Sequence, residues 1–199
     1  MKKLIIITCL ASAVALTAAT AMADSIKGRL GVTGKIGVLV PADNDSDFRF
    51  SGNKTDAGFV GAAGLIYGID DHFAGELEVS RTDFGSDAGD FGITNVSLGA
   101  QYRFALSHRQ MVPFVGVGMD ILVSDYDPAF EGHRNVDTTV GAHLTGGVDY
   151  FIARQFALTA EAKLVAAPHT SITNDYGVHT GNFDPSSFSS TVGLRYFFN

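Results

Sequence analysis

The chain has 199 residues, with 14 Lys and Arg against 21 Asp and Glu, a net charge of −7 and one cysteine. That acidity argues against a nucleic-acid partner and leaves no basic patch for anionic lipid. A single cysteine supports neither a disulfide framework nor a thiolate metal site, and the length suits one domain with a sizeable core.

The first 23 residues read as a signal peptide. Lys2 and Lys3 precede an apolar run from Leu4 to Leu16, and Ala21-Met22-Ala23 supplies an A-x-A cleavage site. The run is too short, and too diluted by Ala and Thr, to serve as an anchor helix. Cys9 lies inside it behind Thr8, where a lipoprotein signal needs a small residue, so lipidation is rejected. Residues 24–199 then form the expected mature domain. An export signal with many glycines leaves two classes: a soluble exported β-domain or a membrane-spanning barrel.

Strands place alternate residues on opposite faces, so each segment is read by parity. The first strand, 29–40, sets Leu30, Val32, Ile36 and Val38 against Arg29, Thr33, Lys35 and Leu39. After it, Asp43-Asn44-Asp45-Ser46-Asp47 resembles the start of a calcium loop. Phe48 and Lys54 stand where an EF-hand needs Gly and Glu, so a solvated acidic loop is expected there. The second strand, 59–69, presents Phe59, Leu65, Tyr67 and Ile69 on its apolar face. The third, 73–81, sets Phe73, Leu77 and Val79 against Glu76 and Glu78. The fourth, 93–104, sets Val96, Leu98, Tyr102 and Phe104 against Asn95, Ser97, Gln101 and Arg103.

The fifth strand, 113–123, sets Val115, Val117, Met119 and Ile121 against Gly116, Gly118 and Asp120. The sixth, 139–152, sets Val140, Leu144, Val148 and Tyr150 against His143, Thr145 and Asp149. The seventh, 156–166, sets Phe156, Leu158 and Leu164 against Thr159, Glu161 and Lys163. The eighth, 187–198, sets Val192, Leu194, Tyr196 and Phe198 against Thr191, Gly193, Arg195 and Phe197.

Parity alone does not say which face is inside, and three features put lipid outside. The glycines sit mostly on the polar face, where a narrow barrel needs small residues. Tyr67, Phe73, Tyr102, Phe104, Tyr150, Phe156, Tyr196 and Phe198 gather at one end of the apolar face, as one rim of an interfacial girdle. The connections alternate: short near 70–72, 106–111 and 153–155, long at 42–57, 82–91, 124–138 and 167–186. Every backbone group must be paired in lipid, so the sheet must close, with strand eight on strand one. The fold class is therefore all-β, an eight-stranded antiparallel transmembrane β-barrel.

On these residues the sequence resembles the small eight-stranded outer-membrane β-barrels of Gram-negative bacteria, the OmpA-like transmembrane domain, OmpX-like and OmpW-like group. The resemblance covers residues 24–199 and is mainly one of pattern, with "NVSLGAQYRF" (95–104) and "VPFVGVGMD" (112–120) as typical strands. Its most specific piece is the terminal signal polar-x-Gly-x-x-aromatic-x-aromatic, matched by Thr191, Gly193, Tyr196 and Phe198; Asn199 after the last aromatic is a departure. The resemblance implies outer-membrane lipid as surroundings and the barrel assembly machinery as a partner. It implies a non-enzymatic structural or surface-interaction role through four external loops. The alternative is a narrow OmpW-like channel for small hydrophobic or ionic solutes.

Eight strands leave an interior that side chains just fill. Arg29, Lys35, Arg103, Lys163 and Arg195 face Glu76, Glu78, Asp120, Asp149 and Glu161 there, and an ion-pair network is expected. Near the outer mouth, inward parity gives Leu39, Val60, Ile93, Leu122 and Val165, an apolar vestibule open to a small apolar solute. His143 is expected as a lumen hydrogen-bonding residue. His72, His108, His133 and His179 lack metal-ligand spacing. His169-Thr170-Ser171 is similar to the His-x-Ser of lipid A deacylase barrels, but Ile172 replaces the following Asn and the parity points inward. No catalytic residue, metal or cofactor is expected.

Overall fold

The computed structural model describes residues 25–41, 57–86, 89–104, 110–128, 138–168, 170–173, 179–183 and 186–198. The expected signal peptide, the Asp43–Asp47 loop, His108, His133, His169 and Asn199 lie outside the described residues.

The strands are β1 (Leu30–Pro41), β2 (Gly58–Gly68), β3 (Phe73–Ser86), β4 (Gly89–Arg103), β5 (Met111–Pro128), β6 (Thr139–Phe151), β7 (Phe156–Ala166), β8 (Thr170–Thr173), β9 (His179–Phe183) and β10 (Ser187–Phe197). Eight of them close in the order β1-β10-β7-β6-β5-β4-β3-β2, each antiparallel to its neighbours, while β8 and β9 pair as a separate hairpin. The seam is β1 against β10, from Gly31 opposite Phe197 to Pro41 opposite Ser187. Closure leaves no edge with unpaired backbone groups, the condition a sheet must meet in hydrocarbon.

Parity assigns the faces as expected. Ile36, Val38, Phe59, Leu98, Val117, Met119, Leu144, Leu164 and Val192 are exposed, whereas Arg195, Asp120 and Asp149 are 0% exposed. A water-soluble barrel reverses that arrangement; apolar outside and charged inside is the solution for lipid. On the outer face at the short-turn end, Tyr102 meets Phe73 and Phe104 edge-on at 5.3 and 5.0 Å, and Tyr196 meets Phe156 and Phe198 at 4.8 and 5.1 Å.

Two connections differ from the expected loops. β3 and β4 remain paired beyond residue 81, with Thr82 opposite Ile93 and Ser86 opposite Gly89, so 82–91 is mostly a hairpin ladder. β5 runs on to Pro128, which Gly89 of β4 faces. Residues 167–186 carry the β8–β9 hairpin. The cause is common to all three: antiparallel pairing needs only backbone groups, so it continues where the apolar alternation of the sequence stops.

At the other end the turn at 70–72 is tight. Asp70 Oδ1 accepts hydrogen bonds from the backbone N–H groups of His72 and Phe73, both at 2.7 Å, which folds 70–72 back on itself. These donors, His72 first and Phe73 second, hold the Asp70 carboxyl below the usual carboxylate range. The chain enters β1 through Gly28, whose φ of 71° suits glycine and whose N–H donates to Gly68 O at 2.7 Å.

Candidate functional site

The interior is built in layers because inward positions on neighbouring strands fall at fixed heights. The layer nearest the short turns is apolar: Ile26, Ile66, Ala74, Phe151, Ala157 and Phe197 form a buried cluster, with Val112 against it. The Phe151 and Phe197 rings stack at 5.8 Å. Arg29 is placed at this base, where it donates to the carbonyl oxygens of Arg154, Phe198 and Phe197 at 3.1, 3.3 and 3.4 Å and lies over the Phe197 ring. The lumen charges expected as its partners lie higher. Its position before the first ladder pair of β1 sets it below them.

Above the base, Asp149 Oδ2 accepts from Arg103 Nη2 at 2.6 Å and Arg195 Nη1 at 2.8 Å. Arg195 also donates to Thr33 Oγ1 at 3.0 Å and Glu76 Oε1 at 2.9 Å. Gln101 donates to Glu76 and accepts from Arg103 at 3.4 Å. Both guanidiniums face the Phe114 ring, with centroid distances of 5.9 and 5.5 Å, a cation–π arrangement in a buried layer. Two glycines make room. A Cβ on Gly147 would stand 2.5 Å from Phe114 Cζ, and one on Gly193 would stand 2.8 Å from Lys35 Cα across the seam.

The next layer joins the first through Glu76. The Lys35 ammonium is 3.9 Å from Glu76, 2.9 Å from Glu161 and in contact with Glu78. Lys163 Nζ lies 2.5 Å from Ser97 Oγ, 3.2 Å from Asp120 and 3.5 Å from Glu78. Asp120 also accepts from Asn95 Nδ2 at 2.8 Å and Ser97 Oγ at 2.6 Å, and His143 Nδ1 is 2.6 Å from its other oxygen. A continuous chain of charges thus runs Arg103–Asp149–Arg195–Glu76–Lys35–Glu78–Lys163–Asp120. Its polar brackets, Thr33, Asn95, Ser97, Gln101 and His143, carry inward parity in the sequence, which is the signal that finds them.

Toward the long connections the interior opens into a cavity. Leu39, Val60, Ile93, Leu122 and Val165 line it together with serine and threonine hydroxyls; Asn95, Glu78, Glu161 and Lys163 reach it from the charged layer. A smaller cavity lies among Glu76, Gln101, His143 and Thr145, and Glu78, Glu161 and Lys163 line that one too. These three side chains are the partition between the two spaces. Among the described residues, no group of three or more His, Cys, Asp or Glu is arranged to hold a metal ion.

Residues 8–197 match the family described as outer membrane protein beta-barrel domain. No curated protein matches the chain in sequence. Among solved structures, the outer membrane protein OprG from Pseudomonas aeruginosa is 17% identical with a TM-score of 0.71, over 87% of this chain and 97% of that one. Neisserial surface protein A is 14% identical with a TM-score of 0.64, over 86% and 98%. The outer membrane protein AlkL, determined in lipid bilayers, is 16% identical with a TM-score of 0.61, over 87% and 91%. At such identities the likeness speaks for the fold.

Proposed function

This chain belongs to the outer membrane protein beta-barrel domain family, and from that premise we propose a non-enzymatic role, structural in its strands and surface-exposed through its four long connections. The protein is an outer-membrane β-barrel whose apolar exterior meets lipid. One observation carries the proposal: the lumen charges are cross-linked from wall to wall above an apolar base, so side chains bridge the middle of the interior. Removing one partner of a buried ion pair is costly. The closing strand carries Thr191, Gly193, Tyr196 and Phe198, a pattern fit for recognition by the barrel assembly machinery.

Conductance tests this. The purified protein, reconstituted in a planar bilayer, is expected to be electrically silent, and so is Glu76→Gln. Steady or gated openings that Glu76→Gln alters would overturn the closed-lumen reading in favour of a narrow pore. A second reading, a path for small apolar solutes, draws on the two cavities with a shared wall of Glu78, Glu161 and Lys163. Exchange of Lys163 between Glu78 and Asp120 would join them. A fluorophore at Leu39 that no apolar solute quenches would remove this reading.

A further inference from the structure

The outer cavity offers more than an apolar wall. At its floor the hydrogen-bond donors are committed and the acceptors are in excess. An ammonium has three N–H donors. Those of Lys35 face Glu76, Glu78 and Glu161, and those of Lys163 face Ser97, Glu78 and Asp120. Among the described residues, three buried acceptor atoms of side chains that line the cavity make no hydrogen bond: Asn95 Oδ1, Glu161 Oε2 and Glu78 Oε2, the last in contact with the Lys35 ammonium. Asn95 is 8% exposed and Glu161 6%. The Asn95 amide is held in this orientation because its Nδ2 donates to Asp120. Glu161 is held by its other oxygen, which takes the Lys35 ammonium. A buried acceptor without a donor is unfavourable, so these atoms favour a ligand that brings N–H groups.

Charge points the same way. Within the network, five carboxylates, Glu76, Glu78, Asp120, Asp149 and Glu161, face the four fixed cations Lys35, Arg103, Lys163 and Arg195, and the His143 imidazole stands against Asp120. One added cation near Glu161 balances these carboxylates against the lysines and arginines. Above the floor, Leu39, Val60, Ile93, Leu122 and Val165 come from five strands and face the same space, enough wall for a short alkyl chain. Apolar walls with a few fixed polar groups at one end are the usual build of a small-molecule site.

We infer that this cavity binds a short-chain primary alkylammonium ion, with its alkyl part against the apolar residues and its N–H groups toward Asn95 Oδ1 and Glu161 Oε2. An alcohol of the same length brings one donor and no charge. A carboxylate of the same length meets Glu161 and Glu78 as like charges. The inference goes beyond the structural and surface role and does not depend on whether the barrel conducts.

The test is methyl NMR of the protein in lipid nanodiscs, with Ile, Leu and Val methyls labelled, titrated separately with butylammonium, 1-butanol and butyrate. Lipid-facing Leu98 and Leu144 report partition into the bilayer, and Leu39, Val60, Ile93, Leu122 and Val165 report the cavity. Butylammonium is expected to shift the cavity methyls saturably, about tenfold tighter than butanol, as a charge-assisted contact requires; butyrate is expected to leave them unsaturated. Glu161→Gln and Asn95→Leu are each expected to reduce the advantage over butanol. Equal affinities for butylammonium and butanol overturn the inference and leave the apolar-solute path standing. Tightest binding of butyrate, or no saturable shift from any of the three, also overturns it. Should both variants misfold, the three-ligand series on the unaltered protein decides alone; should both fold and keep the full advantage, the assigned acceptors are wrong.

Discussion

Asp149→Asn strikes the lumen where it is most dependent on one side chain. A single oxygen of Asp149 holds Arg103 at 2.6 Å and Arg195 at 2.8 Å, and all three residues are buried. Arg195 would retain Glu76 at 2.9 Å and Thr33 at 3.0 Å, but of the lumen partners described above Arg103 would keep the Gln101 contact at 3.4 Å and the Phe114 ring, with no carboxylate. Removing one partner of a buried pair costs about 3–5 kcal/mol, and two cations left facing each other place this case at the upper end. The assay is equilibrium urea unfolding in lipid vesicles, read by β-sheet circular dichroism and by the shift in gel mobility on boiling. Asp149→Leu combined with Arg103→Met removes the second cation along with the carboxylate and leaves Arg195 with Glu76. It is expected to recover most of the loss, because well-packed apolar replacements of buried ion pairs are near neutral. A loss under about 1 kcal/mol for Asp149→Asn, the value of a solvated surface pair, would refute the buried network.

Three further outcomes test other parts of the molecule. Because the folded pKa of Asp70 is depressed, its contribution to the 70–72 turn is complete above the unfolded carboxylate value and is lost as pH falls through the folded value. NMR titration of the His72 and Phe73 amides is expected to show a midpoint below that of an ordinary Asp, about 3.9; a midpoint at or above it contradicts the turn assignment. Gly193→Val drives a side chain into the backbone of β1 at Gly34 and Lys35, with an expected loss of about 1–3 kcal/mol and less boiling-sensitive mobility. Unchanged urea unfolding would show that the seam has room. Phe151→Ala removes the ring stacked on Phe197 at 5.8 Å and is expected to cost about 3–5 kcal/mol in the same urea assay; a loss under about 1 kcal/mol would mean that the base cluster contributes little.

Period-two alternation makes the barrel legible, because every one of the eight wall strands meets lipid on one face and the lumen on the other. It also places Lys35, Glu76, Glu78, Arg103, Asp120, Asp149, Glu161, Lys163 and Arg195 inside. It does not pair them. Lys35 on β1 reaches Glu161 on β7 past the intervening β10, and such partners depend on the stagger of the whole sheet rather than on spacing along one strand. A reading that follows charges also passes over Ile66, Phe114 and Phe151, apolar residues at inward positions, although parity assigns them there. The strand extensions past residues 81 and 123 are hidden for a different reason. Asp, Gly and Ser in those stretches have the composition of turns, and the backbone ladder that joins them leaves no mark in side-chain periodicity.

The seam has a consequence for how the molecule comes into being. Gly31 lies opposite Phe197, and Val32 opposite Tyr196, so the closing contact joins the two ends of the barrel sequence. Before β10 docks, the other seven wall strands have two bare margins, β1 and β7, each a template for any passing strand. No nearer segment can substitute, and contacts between such distant parts form slowly. A partly zipped sheet would therefore recruit its own kind wherever those margins are left uncovered. Loss of the final strand would give an open, adhesive ribbon rather than a weakened cylinder.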